Sequence, residues 1–260
     1  MKAIRTRTLL CLFLFPITLY AQVDNAVVPP VVLCYHQVRD WSSRDSKAAR
    51  DYIVPVERFK QHMSMLHDKG FHVILPTDLL AYQLRQKKIP PNSVLISFDD
   101  GTASQYTTAL PVLEKYGFKA VFFIMTVTLD RPGYLSRSQI LSLKKAGHVI
   151  GCHTWDHHKV TSYNSSDWEK QLSRPTQALS ELTGDKIQYF AYPYGIWDTA
   201  AITQLRAAGY TAAFQLYGKQ DIRYPQYTIR RIIANGHWNG QQLEAAISGI
   251  SDRKDNPLNH

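Results

Sequence analysis

Three short segments of the chain bring together residue types that can do chemistry. In Ser97-Phe98-Asp99-Asp100-Gly101, two carboxylates stand side by side directly after the apolar run Val94–Ile96. Adjacent carboxylates at a strand's end repel each other and need solvation, a shared proton or a cation. His153-Thr154-Trp155-Asp156-His157-His158 follows the apolar run Val149–Cys152. His153 and His157 are four residues apart, so one helical turn would put both imidazoles on one side, a spacing suited to a borderline metal such as zinc. In a non-helical loop, His158 competes with His157 for that role. The third segment, Phe190-Ala191-Tyr192-Pro193-Tyr194-Gly195, is of a kind that turns the chain. It can also present a rigid backbone N–H and an aromatic wall to a sugar. Taken singly, each segment has an ordinary alternative: an Asp-Gly turn, a polar loop with surface histidines, a tight bend.

All three fall at the ends of expected strands. Strand patterns run over Val31–Tyr35, Phe71–Ile74, Val94–Phe98, Ala120–Met125, Val149–Cys152, Tyr189–Ala191, Ala212–Leu216 and Tyr227–Ile233. Helical patterns alternate with them. Val56–Lys69 puts Phe59, Met63 and Leu66 on one face before Gly70, and Ser104–Tyr116, Ser138–Ala146 and Thr199–Ala208 stop at Gly117, Gly147 and Gly209. Ser166–Thr183 contains Pro175, which should kink or split it. Arg39–Asp51 is polar and reads as a surface loop. Helix, glycine and strand in repeated succession imply parallel strands joined by helical crossovers, an α/β barrel. In such a barrel, catalytic groups gather just after the strands, where the three segments lie.

The N-terminus has the form of a signal peptide over residues 1–21. Lys2, Arg5 and Arg7 precede the apolar run Leu9–Leu19, which is shorter than the roughly 20 residues of a membrane span, and Ala21 offers a small residue for cleavage. The expected products are a single domain over 22–250 with a polar tail, 251–260, in a secreted or periplasmic protein without stable membrane insertion. Losing those three basic residues lowers the formal charge from +9 to +6. No Arg/Lys stripe with stacking aromatics accompanies that charge, so a nucleic-acid partner is not expected. Cys34 and Cys152 lie inside apolar runs and read as buried small side chains rather than as a disulfide.

The order Asp-Asp-Gly, His-Thr-x-x-His, Pro-Tyr-Gly resembles the polysaccharide deacetylases, the NodB-homology or family-four carbohydrate esterases. Leu33-Cys34-Tyr35-His36, Ala120-Val121-Phe122-Phe123 and Ile150-Gly151-Cys152-His153-Thr154 add to the resemblance, which spans about Val31 to Ile250. It implies a distorted (β/α) barrel, with seven strands against the eight patterns above. It also implies one divalent metal ion, with Zn2+ the first expectation, held by Asp100, His153 and His157. Asp99 matches the catalytic base, and the Tyr194 backbone N–H matches the donor to the developing oxyanion. The implied substrate is an acetylated polysaccharide of the envelope or a biofilm, deacetylated at its N-acetylglucosamine units. An O-acetyl polysaccharide esterase and a catalytically impaired glycan-binding protein are the alternatives.

Two positions depart from the family pattern. The arginine expected two residues before Pro193 is replaced by Ala191, as in some deacetylases of poly-N-acetylglucosamine. Arg230 or Arg231 can supply the missing cation. Alternation lets only one of them face the interior, and Arg231 shares its face with Ile229 and Ile233. Within the 22–250 domain the family's Leu-x-His segment for the general acid has no clean match either. His237 is a weak candidate, better read as a surface-turn residue, and His36 reads as a hydrogen-bonded residue at the barrel's end.

Overall fold

The computed structural model describes residues 30–251. The expected signal peptide, and the tail beyond Ser251, lie outside the described residues. In chain order the strands are β1 (Val31–Tyr35), β2 (Gln37–Val38), β3 (Ile53–Val54), β4 (His72–Val73), β5 (Ser93–Phe98), β6 (Ala120–Ile124), β7 (Val149–Cys152), β8 (Tyr189–Ala191), β9 (Ala212–Gln215), β10 (Ile229–Arg230) and β11 (Ile232–Ile233). The helices are α1 (Val56–Asp68), α2 (Pro76–Gln83), α3 (Leu110–Lys115), α4 (Arg137–Lys145), α5 (Arg174–Thr183), α6 (Thr199–Ala207) and α7 (Gly240–Ser251). No helix among the described residues is long and apolar enough to cross a membrane.

The main sheet is parallel, in the order β10-β9-β8-β7-β6-β5-β1-β11, with β4 added on β5. β2 and β3 pair separately on either side of the expected Arg39–Asp51 loop, whose one regular element is a short turn at Ala49–Asp51. The two ends of the main path are two halves of one chain segment. Ile229 and Arg230 pair with Phe214 and Gln215 of β9, whereas Ile232 and Ile233 pair with Leu33 and Cys34 of β1. The single strand expected over Tyr227–Ile233 is therefore broken at Arg231, and Tyr227 ends a tight turn before it. Changing neighbours at Arg231 lets one segment bridge first and last strands, which bends the sheet nearly closed into a barrel flanked by helices. Counted once, that segment brings the ring to seven strands.

Strand alternation divides the apolar residues into two sets. Leu33, Ile96, Phe98, Phe122 and Phe190 pack with helix residues such as Phe59, Met63, Leu113, Ile140 and Leu205, so they face outward. Val32, Leu95, Val121, Phe123, Phe214 and Ile229 form the other cluster, inside the barrel. Ile74 and Leu79 join that inner set from β4's end and α2. α2 had no clear sequence pattern because it buries only Pro76 and Leu79; Pro76 in its first turn and Asp78 facing back to Leu75 start it instead. α7, also unanticipated, buries Leu243 and Ile247 and packs on α1. Pro175 splits the 166–183 pattern as expected: a wide turn, Glu169–Ser173, precedes α5, and the proline sits in the first turn of α5. The four glycines expected to stop helices, 70, 117, 147 and 209, all have positive φ.

Candidate active site

The inward parity of β5 runs Leu95, Ser97, Asp99, so Asp99 sits just past the strand's end, above the inner core. It is 2% exposed. Asp100 follows with φ of 74°, a left-handed step that aims its carboxylate differently from its neighbour's. β7 ends at Cys152, and His153 continues its inward row. The following loop is not the helical turn considered from spacing. Thr154 and His157 have φ of 69° and 68°, and the Thr154 hydroxyl accepts the His157 N–H at 3.0 Å. That loop still brings His157 beside His153. The His153 Nε2 lies 3.5 Å and the His157 Nε2 3.7 Å from Asp100 Oδ1.

These three residues fit a divalent metal. Ligands about 2.0–2.2 Å from a tetrahedral zinc lie roughly 3.4 Å apart, close to the separations here. Asp100 Oδ1 and His153 Nε2 are buried without a hydrogen-bond partner, an arrangement that is costly unless a cation occupies the space between them. The His153 Nδ1 lies 2.7 Å from the Ala191 carbonyl oxygen, which can only accept, so Nδ1 carries the proton and Nε2 offers its lone pair. Burial lowers the His157 pKa to about 4 and keeps its imidazole neutral at ordinary pH. His158 is no part of this cluster; its exposed ring pairs with Asp156 at 2.6 Å.

Asp99 is held by Arg231. Nη1 and Nη2 donate to the two carboxylate oxygens at 2.6 and 2.7 Å, a bidentate pair with both side chains almost fully buried. Nη1 also reaches Ser97 Oγ at 3.3 Å, and the guanidinium lies over the Phe123 ring. Burial alone would raise the Asp99 pKa. The Arg231 guanidinium is the largest opposing influence, and the carboxyl is held well below the usual carboxylate range.

A family model of polysaccharide deacetylases matches residues 86–213, which carry Asp99, Asp100, His153, His157 and Tyr194. The protein YxkH of Bacillus subtilis is 26% identical over 220 residues, covering 84% of this chain and 76% of that one. The poly-beta-1,6-N-acetyl-D-glucosamine N-deacetylase of Staphylococcus aureus is 26% identical over 213 residues, 73% of this chain and 72% of the relative. The solved structure of IcaB from Ammonifex degensii superposes with a TM-score of 0.72 at 28% identity, covering 84% of this chain and 97% of that one. The chain carries a polysaccharide deacetylase domain.

Within this deacetylase fold, the arginine absent at Ala191 has its counterpart in Arg231. Arg230 points outward, is exposed and donates to the Gly218 carbonyl. The Pro-Tyr-Gly segment forms a tight turn in which Tyr194 takes φ of 60°. The Tyr194 ring packs edge-on against His157, centroids 4.5 Å apart, with the Lys159 ammonium above it. His237 lies apart from the cluster, half exposed, against Trp41 and 3.8 Å from Asp51. His36 is nearer the chemistry than its reading as a hydrogen-bonded end residue implies. Its ring leans edge-on against Tyr52, its Nδ1 is buried without a partner, and it groups with Cys34 and Asp99, their ligand atoms within 4.8 Å of one another. Cys34, a free buried thiol, donates to Asp99 Oδ2 at 3.5 Å. That contact was legible only as strand parity, since Cys34 faces inward with Val32. Cys152 is likewise buried and unpaired, so neither cysteine forms a disulfide.

Proposed function

We propose that the protein is a metal-dependent N-deacetylase that removes acetyl groups from N-acetylglucosamine units of an envelope or biofilm polysaccharide, outside the cytoplasm. The observation that carries this reading is the Asp100-His153-His157 cluster standing beside a carboxylate locked by a buried arginine. The name of the Staphylococcus aureus relative supports the choice of glycan, and the N-terminal signal pattern supports the location.

Asp100, His153 and His157 would hold the metal, which when bound polarises the acetyl carbonyl and makes a neighbouring water acidic. Asp99 is the proton acceptor. Arg231 keeps it ionised at any working pH and fixes its plane through two hydrogen bonds. A carboxylate with so low a proton affinity is a weak base, suited to a water that is already acidified. Once protonated it becomes a strong donor, able to pass that proton to the departing amine nitrogen. Two otherwise separate roles thereby fall to one side chain, which suits a domain with no clean match to the family's Leu-x-His acid within 22–250. The Tyr194 N–H, on a turn stiffened by Pro193, donates to the oxygen on which charge develops.

Mass spectrometry of products tests the reaction class. Short poly-β-1,6-N-acetylglucosamine oligomers should lose acetyl mass, whereas O-acetylated xylan fragments should not. Release only from the xylan ester, or from neither substrate, overturns the proposal.

A further inference from the structure

Gln215, the last residue of β9, is fully buried, and its amide is almost entirely used. Oε1 accepts the Trp197 indole N–H at 2.9 Å, while Nε2 donates to the Thr228 carbonyl at 2.8 Å and the Lys219 carbonyl at 3.3 Å. An indole can only donate and a carbonyl can only accept, so these partners fix which way the amide faces. Its own backbone carbonyl accepts the Arg231 N–H at 3.0 Å.

These bonds reach both halves of the reaction centre. Trp197 lies three residues beyond Tyr194, and the intervening Gly195 packs so closely on Leu216 that any Cβ there would collide with that residue's side chain and backbone. The Leu216 N–H in turn donates to the Gly195 carbonyl at 3.4 Å. On the other side, the bond to the Arg231 N–H is made where the segment leaves β9 for β1, at the residue whose guanidinium grips Asp99. Two parts of the site that are distant in sequence thus hang from one strand end.

We propose that Gln215 is a positioning residue that sets the spacing between the Tyr194 turn and the Arg231–Asp99 pair. This rests on the roles given above to Tyr194 and Asp99. The bland alternative is that Gln215 merely anchors the 216–228 loop and contributes stability alone.

Gln215→Met keeps the volume and removes the amide; Trp197→Phe removes only the indole donor and serves if the first variant folds poorly. Each is assayed alone and combined with Arg231→Met, on the metal-loaded full chain with an N-acetylglucosamine oligomer. Hydrogen exchange is measured in parallel over peptides covering 193–198 and 229–233. In the wild-type background Gln215→Met should lower kcat roughly 10- to 100-fold, the scale of a misplacement near 1 Å, with KM and zinc affinity unchanged. In the Arg231→Met background the same change should cost less than about twofold, because without the guanidinium there is no gripped Asp99 left for that spacing to place. Exchange should quicken in both peptides. Equal losses in the two backgrounds, or faster exchange confined to 216–228 with kcat unchanged, would overturn the positioning role. Wild-type protein that releases no acetate from any glycan would instead sink the functional reading beneath it.

Discussion

Arg231→Met removes two charge-assisted hydrogen bonds, of 2.6 and 2.7 Å, from a carboxylate that is 2% exposed. Breaking a buried pair by deleting one partner costs about 3–5 kcal/mol, because the remaining charge is stranded. With the guanidinium gone, burial is the main remaining influence on Asp99 and pushes its carboxyl above the ordinary value. The pH dependence then reverses. In the wild type the folded pKa is depressed, so the stabilisation is complete above the unfolded value and is lost only as pH falls through the folded one. In the variant the folded pKa is raised, so the native state takes up the proton first and regains stability as pH falls through it. Urea unfolding of chelator-treated protein from about pH 8 to pH 5 reads this directly. The deficit should be about 3–5 kcal/mol at the upper end and shrink toward the lower. A second variant, Asp99→Asn with Arg231→Met, should recover much of that stability without recovering turnover. A deficit under about 1 kcal/mol, the scale of a surface pair, that stays flat with pH would refute the buried-pair reasoning.

Asp99→Asn alone should bind zinc normally and lose turnover by roughly 10²–10⁴-fold, the usual scale for a general base; unchanged acetate release in a zinc-loaded sample ends that assignment. His157→Ala should lose tight zinc binding by calorimetry and His158→Ala should keep it, and the opposite pattern would transfer the ligand role. Burial lowers His62, His148 and His157 to about 4. The unfolded chain, with ordinary histidines, therefore binds more protons between about pH 6.5 and pH 4, and the metal-free protein should lose stability steadily as pH falls through that window. A melting temperature constant from neutral pH down to about pH 4 would contradict those neutral imidazoles.

The chemistry was legible where it is written locally. Asp99-Asp100-Gly101 and His153–His157 each follow a strand, and strand ends in a parallel barrel converge on one rim. Arg231 was legible through alternation, because it shares the inward face with Ile229. The break beside it was not: whether Ile232 stays with β9 or crosses to Leu33 depends on barrel closure, a long-range property. Spacing also placed His157 near His153 by a helical turn, whereas left-handed residues at Thr154 and His157 achieve the same approach. Neither residue type announces that conformation. Gln215 and Cys34 escaped notice for a similar reason, since their roles lie in partners far along the chain. α2 and α7 bury too few residues to print a helical stripe.

Acetate release from a poly-β-1,6-N-acetylglucosamine oligomer, by chelator-stripped protein before and after zinc is returned, bears most directly on the proposed chemistry. Stripped protein should release none, stoichiometric zinc should restore turnover, and His153→Ala should stay inactive at every zinc concentration while remaining folded by circular dichroism. Undiminished release after complete removal of the metal, or full activity in His153→Ala, would contradict a reaction centred on Asp100, His153 and His157.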